Sequence, residues 1–168
     1  ADAWAKGIRT FDPEKALKAY AHEAMNKGPW GGANGRGFWK EYFELGYVPY
    51  PESMGSSAQT MEYAYDDFVL AQVLQKLETS DDNFPDPQKT ELYDTLMIRA
   101  RYYRNVINPG TGYAQGRYAD GSFLSDTGNV FSFTRFITEG APCHYTWYAP
   151  HDVYLSLIHI SEPTRLAL

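Results

Sequence analysis

The residues best suited to chemistry lie between positions 136 and 152, in the segment FITEGAPCHYTWYAPHD. A single glutamate, Glu139, stands beside a glycine there, among aromatic side chains and without a lysine or arginine. Tyrosine and tryptophan have apolar faces and polar tips, which suit clefts for neutral polar ligands such as sugars. Apolar surroundings also disfavour the ionised form of a carboxyl group. Glu139 could therefore be held protonated for catalysis, or it could cap a helix near Pro142 or pair with an arginine.

A second group of acids lies in AQTMEYAYDDFVLAQVLQKLE, a helix predicted over 58–78. This helix is apolar around most of its circumference, which indicates that it is buried. Glu62, Asp66 and Asp67 nevertheless lie near its start, and buried acids are unfavourable unless they are paired or hydrogen-bonded. These three acids are therefore candidate functional residues.

Helical periodicity indicates which elements must position these side chains. It predicts helices over 12–28, 37–45, 58–78, 86–107 and from near Pro142 past Asp152. Asp12 as N-cap and Pro13 at the first helical position define the start of the first helix. Irregular loops are predicted at 28–37, 46–57 and 108–135, the last with room for a short hairpin. Because amphipathic helices alternate with nearly all-apolar ones, we predict an all-α fold with two concentric layers of helices.

The composition limits the class of partner. The chain has 168 residues, a net charge of −6 and a pI of about 5.1, which argues against nucleic acid because such ligands require a basic face. No apolar run approaches the roughly 20 residues needed to cross a bilayer, so no membrane partner is expected. Cys143 is the only cysteine, which excludes an internal disulfide, and it is expected to act as a small apolar residue.

Four stretches resemble glycoside hydrolase family 92, the calcium-dependent exo-acting α-mannosidases. They are KGIRTFDPEKA (6–16), GYVPYPESMGSSAQTMEYAYDD (46–67), YYRNVINPGTGYAQGRYADGSF (102–123) and TEGAPCHYTWYAPHDV (138–153). The resemblance implies that residues 1–154 form part of an (α/α)6 toroid of helical hairpins. It also implies an α-mannoside substrate of the N-glycan or mannan type, calcium as cofactor, and a secreted, periplasmic or cell-surface bacterial parent protein.

The resemblance further implies an inverting mechanism in which Glu139, from the Thr-Glu-Gly motif, is the general acid. A second carboxylate activates water on the opposite face of the sugar, and the two acids stand roughly 6.5 to 9.5 Å apart. The family's base and most of its calcium ligands belong to Gly-Asn-Glu-Pro-Ser-His-His and Gly-Asn-Asp-Asp segments, which do not occur here. We therefore expect an inactive internal fragment and assign it no metal ligand.

Substrate-binding candidates also follow from the resemblance. Asp66 and Asp67 match the family's Tyr-Asp-Asp pattern, and they could bind sugar or make buried hydrogen bonds to a neighbouring loop. After Thr-Glu-Gly the family reads Asn-Ala-Trp-Gln-Tyr, whereas this chain reads Ala-Pro-Cys-His-Tyr. Cys143 thus replaces an indole, and His144 replaces an amide and could donate to a sugar hydroxyl.

Three more candidates lie near the end of the predicted last helix. Trp147 precedes His151 by four positions and Asp152 by five, so the three lie roughly along one side of that helix. Trp147, His151 and Asp152 could line the pocket, with Trp147 packing on a sugar face. Alternatively, His151 and Asp152 form a structural hydrogen-bonded pair, and both interpretations stay open.

The final string, LSLIHISEPTRLAL at 155–168, resembles translated sequencing adapter of the kind found on metagenomic fragments, and we expect it to be a non-native tail. Two rival functions stay open. One is another (α/α)6 glycosidase, such as an α-glucosidase or a trehalase-like enzyme. The other is a helical sugar-binding protein without catalysis.

Overall fold

The computed structural model describes residues 2–26, 35–76, 86–125 and 128–154. The predicted tail at 155–168, Gly28 and most of the loop at 28–37 lie outside these residues. Within the described ranges, β-pairing is confined to isolated bridge positions and no strand occurs, so the all-α prediction is confirmed. The helices are α1 Asp2–Ala5, α2 Pro13–Met25, α3 Trp39–Leu45, α4 Ser56–Lys76, α5 Asp86–Arg99, a 3₁₀ helix Tyr102–Val106 and α6 Pro142–Tyr145.

The start of α2 follows the sequence pattern. Asp12 Oδ1 accepts hydrogen bonds from the backbone N–H groups of Glu14 (3.0 Å) and Lys15 (3.1 Å), and Pro13 occupies the first turn. An N-cap of this kind stabilises a helix by about 1 kcal/mol. The helix ends at Met25, because Asn26 has an extended backbone.

The described chain divides into two compact units, the first of which comprises Ala1–Trp39 and Asp66–Ala100. Its core consists of side chains from α2, the second half of α4 and α5. Their spacing of three, four or seven positions along each helix keeps them on one face. The buried members are Leu17, Ala24, Leu70, Ala71, Leu74 and Leu96.

The second unit comprises Lys40–Tyr65 and Arg101–Leu168, and much of it is loop. Its core joins the first half of α4 and the 3₁₀ helix to residues from the long loops, among them Phe136 and Ile137. The bridges pair Ile107 with Ala114 and Arg117 with Phe123, which confirms that the predicted loop at 108–135 contains hairpin-like pairing.

Two helix predictions are wrong in their extent. The segment predicted as one helix to 107 leaves α-helical geometry after Arg99 and tightens into the 3₁₀ helix, in which Arg104 N–H donates to the carbonyl of Arg101. The last helix ends at Tyr145 instead of continuing past Asp152. Pro150 explains the second error, since proline lacks an N–H and disfavours helical geometry in the residue before it.

None of the helices in the described residues is long and apolar enough to span a bilayer.

Candidate active site

Glu139 lies in a tight turn within the second unit. Its φ is +50°, in the left-handed region that is unfavourable for residues other than glycine. Among the described residues its side chain is exposed, so the expectation of a carboxyl enclosed by aromatic rings is wrong for this part of the chain. No arginine or lysine of the described residues forms an ion pair with it. An unfavourable backbone conformation of this kind is often found where a functional side chain must be held in place.

The turn is fixed by the segment that leads into α4. The backbone N–H of Gly55 donates to the carbonyl of Arg135 (2.6 Å), and that of Ser57 donates to the carbonyl of Phe136 (3.0 Å). Gly55 has a φ of +89°, and a Cβ atom there would collide with Thr138 Oγ1. Glycine is therefore required at position 55 for Thr138, the residue before Glu139, to approach so closely.

A cleft of about 390 Å³ opens between these two segments. Its wall includes Glu139, Thr138, Met54 and Gly55, and Phe133 and Arg135 also line it. The Met54 and Phe133 side chains are 78% and 77% exposed. A cleft with apolar surfaces and a few polar groups is the usual form of a small-molecule site.

Tyr145 contacts Glu62, a candidate acid for which the sequence indicated no specific role. Its hydroxyl donates a hydrogen bond to Glu62 Oε1 at 3.0 Å. Burial raises the pKa of Tyr145, and the hydrogen bond and charge of Glu62 raise it further, with smaller contributions from Tyr148 and Glu139. Both carboxylates therefore act on the same phenol. In the sequence, the only indication of a role for Glu62 was its position as an acid in a helix that is otherwise apolar on most sides.

His144 has one ring nitrogen occupied by the fold. Its Nδ1 accepts a hydrogen bond from the backbone N–H of Ala141 at 3.1 Å, at the start of α6. In the neutral ring the proton must then be on Nε2. Because the side chain is exposed, this N–H is oriented to serve as a donor. The predicted donation to a sugar hydroxyl is compatible with this arrangement and stays a prediction.

The three candidates near the end of the chain do not share a helix. Trp147 is 52% exposed. His151 lies between the rings of Tyr65 and Tyr103, with centroid distances of 5.8 and 5.6 Å. The predicted alignment of Trp147, His151 and Asp152 along one helical side is therefore wrong, whereas their roles in binding stay predictions.

Asp152 is held by two donors from the segment around the 3₁₀ helix. Tyr103 Oη donates to its Oδ2 at 2.9 Å, and Arg104 Nη2 lies 2.6 Å from the same atom. Burial acts to raise the pKa of Asp152, but the hydrogen bonds from Arg104 and Tyr103 outweigh it and lower that pKa. A carboxylate in this environment stays ionised and orders the chain near Tyr103.

Asp66 and Asp67 belong to the first unit and differ sharply in environment. Asp66 is exposed, whereas Asp67 has no exposed surface. Arg36 contacts both carboxylate oxygens of Asp67, at 2.9 Å (Nη1–Oδ2) and 2.7 Å (Nη2–Oδ1), and Arg99 Nε lies 3.7 Å from Oδ2. Asp67 thus makes the buried contact to a neighbouring loop that the sequence left open as an alternative to sugar binding.

The calcium implied by the resemblance does not fit the described residues. They contain no group of three or more histidine, cysteine, aspartate or glutamate side chains that could hold a metal ion. Calcium takes about 6 to 8 oxygen ligands, so Glu62 and Glu139 together do not supply such a site.

Comparisons with known proteins show which family the chain resembles. The family model described as the glycosyl hydrolase family 92 catalytic domain matches residues 1–161. No curated protein matches the sequence. Among solved structures, the chain is 32% identical to a family 92 inverting mannosidase from Bacteroides thetaiotaomicron VPI-5482, with a TM-score of 0.80 over 96% of this chain and 21% of that one.

A second similar structure is a family 92 α-mannosidase from Bacteroides thetaiotaomicron, also 32% identical, with a TM-score of 0.78 over 98% of this chain and 20% of that one. The same enzyme has been solved in complex with mannoimidazole. The chain therefore spans about a fifth of the length of the structures it matches. Its helices belong to the (α/α)6 toroid predicted from the sequence, and the chain is a member of glycosyl hydrolase family 92, within the catalytic domain.

Proposed function

We propose that this chain is an internal segment of an inverting exo-acting α-mannosidase and that Glu139 is its general acid. The observation that carries the proposal is the position of Glu139, in a left-handed turn at the wall of a cleft of about 390 Å³. Family membership supports it, as do solved relatives named as mannosidases, one of them with bound mannoimidazole. The catalytic base and most of the calcium ligands belong to other parts of that protein, which is a secreted, periplasmic or cell-surface bacterial enzyme.

In this mechanism Glu139 donates its proton to the glycosidic oxygen while the bond from that oxygen to the anomeric carbon breaks. A base carboxylate from another segment removes a proton from water, whose oxygen bonds to the anomeric carbon from the opposite face. The products are mannose of inverted configuration and the free leaving alcohol. Among the residues of this chain, Gly55 and Thr138 fix the turn that aims Glu139, and His144 Nε2–H is a donor for substrate hydroxyls.

The role of Glu139 is tested with Glu139→Gln in a full-length enzyme that contains this segment. Removing a general acid lowers the rate by about 10²–10⁴-fold when the leaving group is a sugar alcohol that needs protonation. A dinitrophenyl α-mannoside has a leaving group that departs without a proton, so its hydrolysis should fall much less. Steady-state kcat/KM values for the two substrates make the comparison. Equal losses on both substrates, or no loss on either, would contradict the acid role.

The second prediction concerns the 168-residue chain by itself. Because the mechanism requires a base from another segment, the chain should release no mannose from α-mannosides. The same assay on the full-length enzyme, with proton NMR of the first product formed, should detect the inverted anomer. Mannose release by the isolated chain would show that the base lies within it, and a retained anomer would exclude the inverting mechanism.

A further inference from the structure

The segment that leads to Glu139 is held on the N-terminus of α4. The first N–H groups of a helix have no partner within the helix, so they bind acceptors from elsewhere. The Phe136 carbonyl takes up two of them, because Ser57 N–H (3.0 Å) and Ala58 N–H (3.4 Å) both donate to it. Phe136 precedes Glu139 by three positions. The acid therefore lies close along the chain to a fixed point on a helix of 21 residues.

Ser57 also joins this segment to a second loop. Its Oγ donates a hydrogen bond to the backbone carbonyl of Gln115 at 2.8 Å, and the residue has no exposed surface. One serine thus binds the carbonyls of Phe136 and Gln115, which belong to two different parts of the chain. We propose that Ser57 is a positioning residue for the general acid and acts through Phe136. This inference rests on the proposed function, because it requires Glu139 to be that acid.

Gln115 gives the second loop a defined conformation. Its backbone N–H donates to the Val106 carbonyl at 2.8 Å. Its side-chain Oε1 accepts a hydrogen bond from Asn108 Nδ2 at 2.7 Å, and its Nε2 donates to the carbonyl of Leu124. Gln115 is 2% exposed, and a buried polar network whose members are hydrogen-bonded is rigid. The carbonyl that accepts from Ser57 is therefore itself held in place.

The second loop also packs directly on Phe136. A Cβ atom at Gly116 would lie 3.3 Å from Phe136 Cβ and Cδ1, so the backbone of the loop passes close to that side chain. Phe136 is buried in the core of the second unit. The loop thus supports the Phe136 side chain while Ser57 holds the Phe136 carbonyl. Without the Ser57 hydroxyl, the Gln115 carbonyl loses this buried donor, and both loops can shift against α4.

A displaced general acid changes the kinetics differently from a loss of stability. Misplacing a reacting group by about 1 Å can lower the rate by about 10²-fold. For a general acid this loss applies to a leaving group that needs a proton, and dinitrophenolate departs without one. A smaller fraction of folded enzyme, in contrast, lowers the rates on both substrates equally. The ratio of the two rates therefore separates positioning of the acid from stability.

The test measures kcat/KM for an α-mannosyl disaccharide and for dinitrophenyl α-mannoside in the full-length enzyme that contains this segment. Ser57→Ala should lower the disaccharide-to-dinitrophenyl ratio by roughly 10-fold, as expected for a displacement smaller than 1 Å. In an enzyme that already carries Glu139→Gln, Ser57→Ala should leave the ratio unchanged, because no acid remains to be positioned. Gln115→Met removes the amide that holds the second loop and should lower the ratio in the same direction. It takes the place of Ser57→Ala if that variant does not fold.

Thr60→Val is the matched control. Thr60 has no exposed surface and lies one turn further along α4. Its hydroxyl donates to the Ser56 carbonyl (2.8 Å) and accepts from Val48 N–H (2.9 Å), so it does not act on the segment before Glu139. This variant should unfold at a lower temperature, as measured by circular dichroism, and leave the ratio unchanged.

Three results would overturn the positioning role of Ser57. They are an unchanged ratio in Ser57→Ala (or in Gln115→Met in its place), an equal fall in Thr60→Val, and an equal fall when Ser57→Ala is added to Glu139→Gln. If Glu139→Gln by itself lowers the ratio, any of these results removes the positioning role and leaves the acid role intact. If Glu139→Gln does not lower the ratio, the proposed function fails as well.

Discussion

Asp67 and Glu139 are both carboxylates in motifs of the family, but the fold places them in opposite environments. Asp67 has no exposed surface and is contacted by the guanidinium groups of Arg36 and Arg99. Glu139 is exposed, has a left-handed backbone and lies at the wall of a cleft. A match to a sequence motif therefore does not by itself assign chemistry to an acid. Its burial and its partners do, and they favour a structural role for Asp67.

The largest effect on stability is expected at Asp67. Asp67→Asn keeps the shape of the side chain but leaves Arg36 and Arg99 without a compensating charge in the interior. Breaking a buried ion pair in this way costs about 3–5 kcal/mol. Guanidinium-induced unfolding followed by tryptophan fluorescence measures the change.

One exposed acid provides the control for Asp67. Glu139→Gln should change the free energy of unfolding by only about 0.5 kcal/mol, as is usual for exposed positions. If Glu139→Gln destabilises the chain as much as Asp67→Asn, the contrast between the buried and exposed acids is wrong.

A smaller effect is expected at Gly55, which holds the turn of Glu139. Gly55→Ala introduces a Cβ at a φ of +89° and against Thr138 Oγ1. The left-handed backbone alone costs an alanine about 1–2 kcal/mol, and the collision adds to this. We expect a loss of about 2–3 kcal/mol in the free energy of unfolding.

Gly128→Ala separates the two contributions, because Gly128 has a φ of +57° with nothing near its missing Cβ. The free energy of unfolding of Gly128→Ala should therefore fall only by the cost of placing an alanine in left-handed backbone geometry. In addition, Thr138→Ala combined with Gly55→Ala should recover the part due to the collision. Equal losses for Gly55→Ala and Gly128→Ala, with no recovery in the double variant, would remove the packing explanation.

The local features of the fold could be predicted because they depend on neighbouring residues. Asp12 and Pro13 determined the start of α2, and the apolar pattern of 58–78 predicted a buried α4, whose Met61, Ala64 and Ala71 are fully buried. The early end of the last helix was also present in the sequence, as Pro150. The sequence therefore contained the information that limits the length of this helix.

The features that could not be predicted depend on contacts between distant parts of the chain. Arg99 is buried beside Asp67, which lies on a different helix of the chain. The hydrogen bond from Tyr145 to Glu62 joins residues 83 positions apart. Aromatic residues near Glu139 in sequence pack on one another, as the Tyr145–Tyr148 pair at 6.0 Å illustrates, and the side chain of Glu139 is exposed. Proximity in sequence therefore overestimated the enclosure of the acid.

The smallest change in the free energy of unfolding is expected at Asp152. Unlike the buried Asp67 and the exposed Glu139, Asp152 is partly exposed and paired with one guanidinium, that of Arg104. Its pKa is lower in the folded chain than in the unfolded chain, where it is about 3.9. The stabilisation it provides is therefore complete above about pH 5 and is lost as the pH falls through the folded pKa. For a pair with this exposure we expect about 1 kcal/mol. The difference in unfolding free energy between the wild type and Asp152→Asn, measured from pH 7 to pH 3, should shrink toward acid. A difference that stays constant over this range would mean that the carboxylate's charge contributes nothing and that Asp152 acts only through its shape.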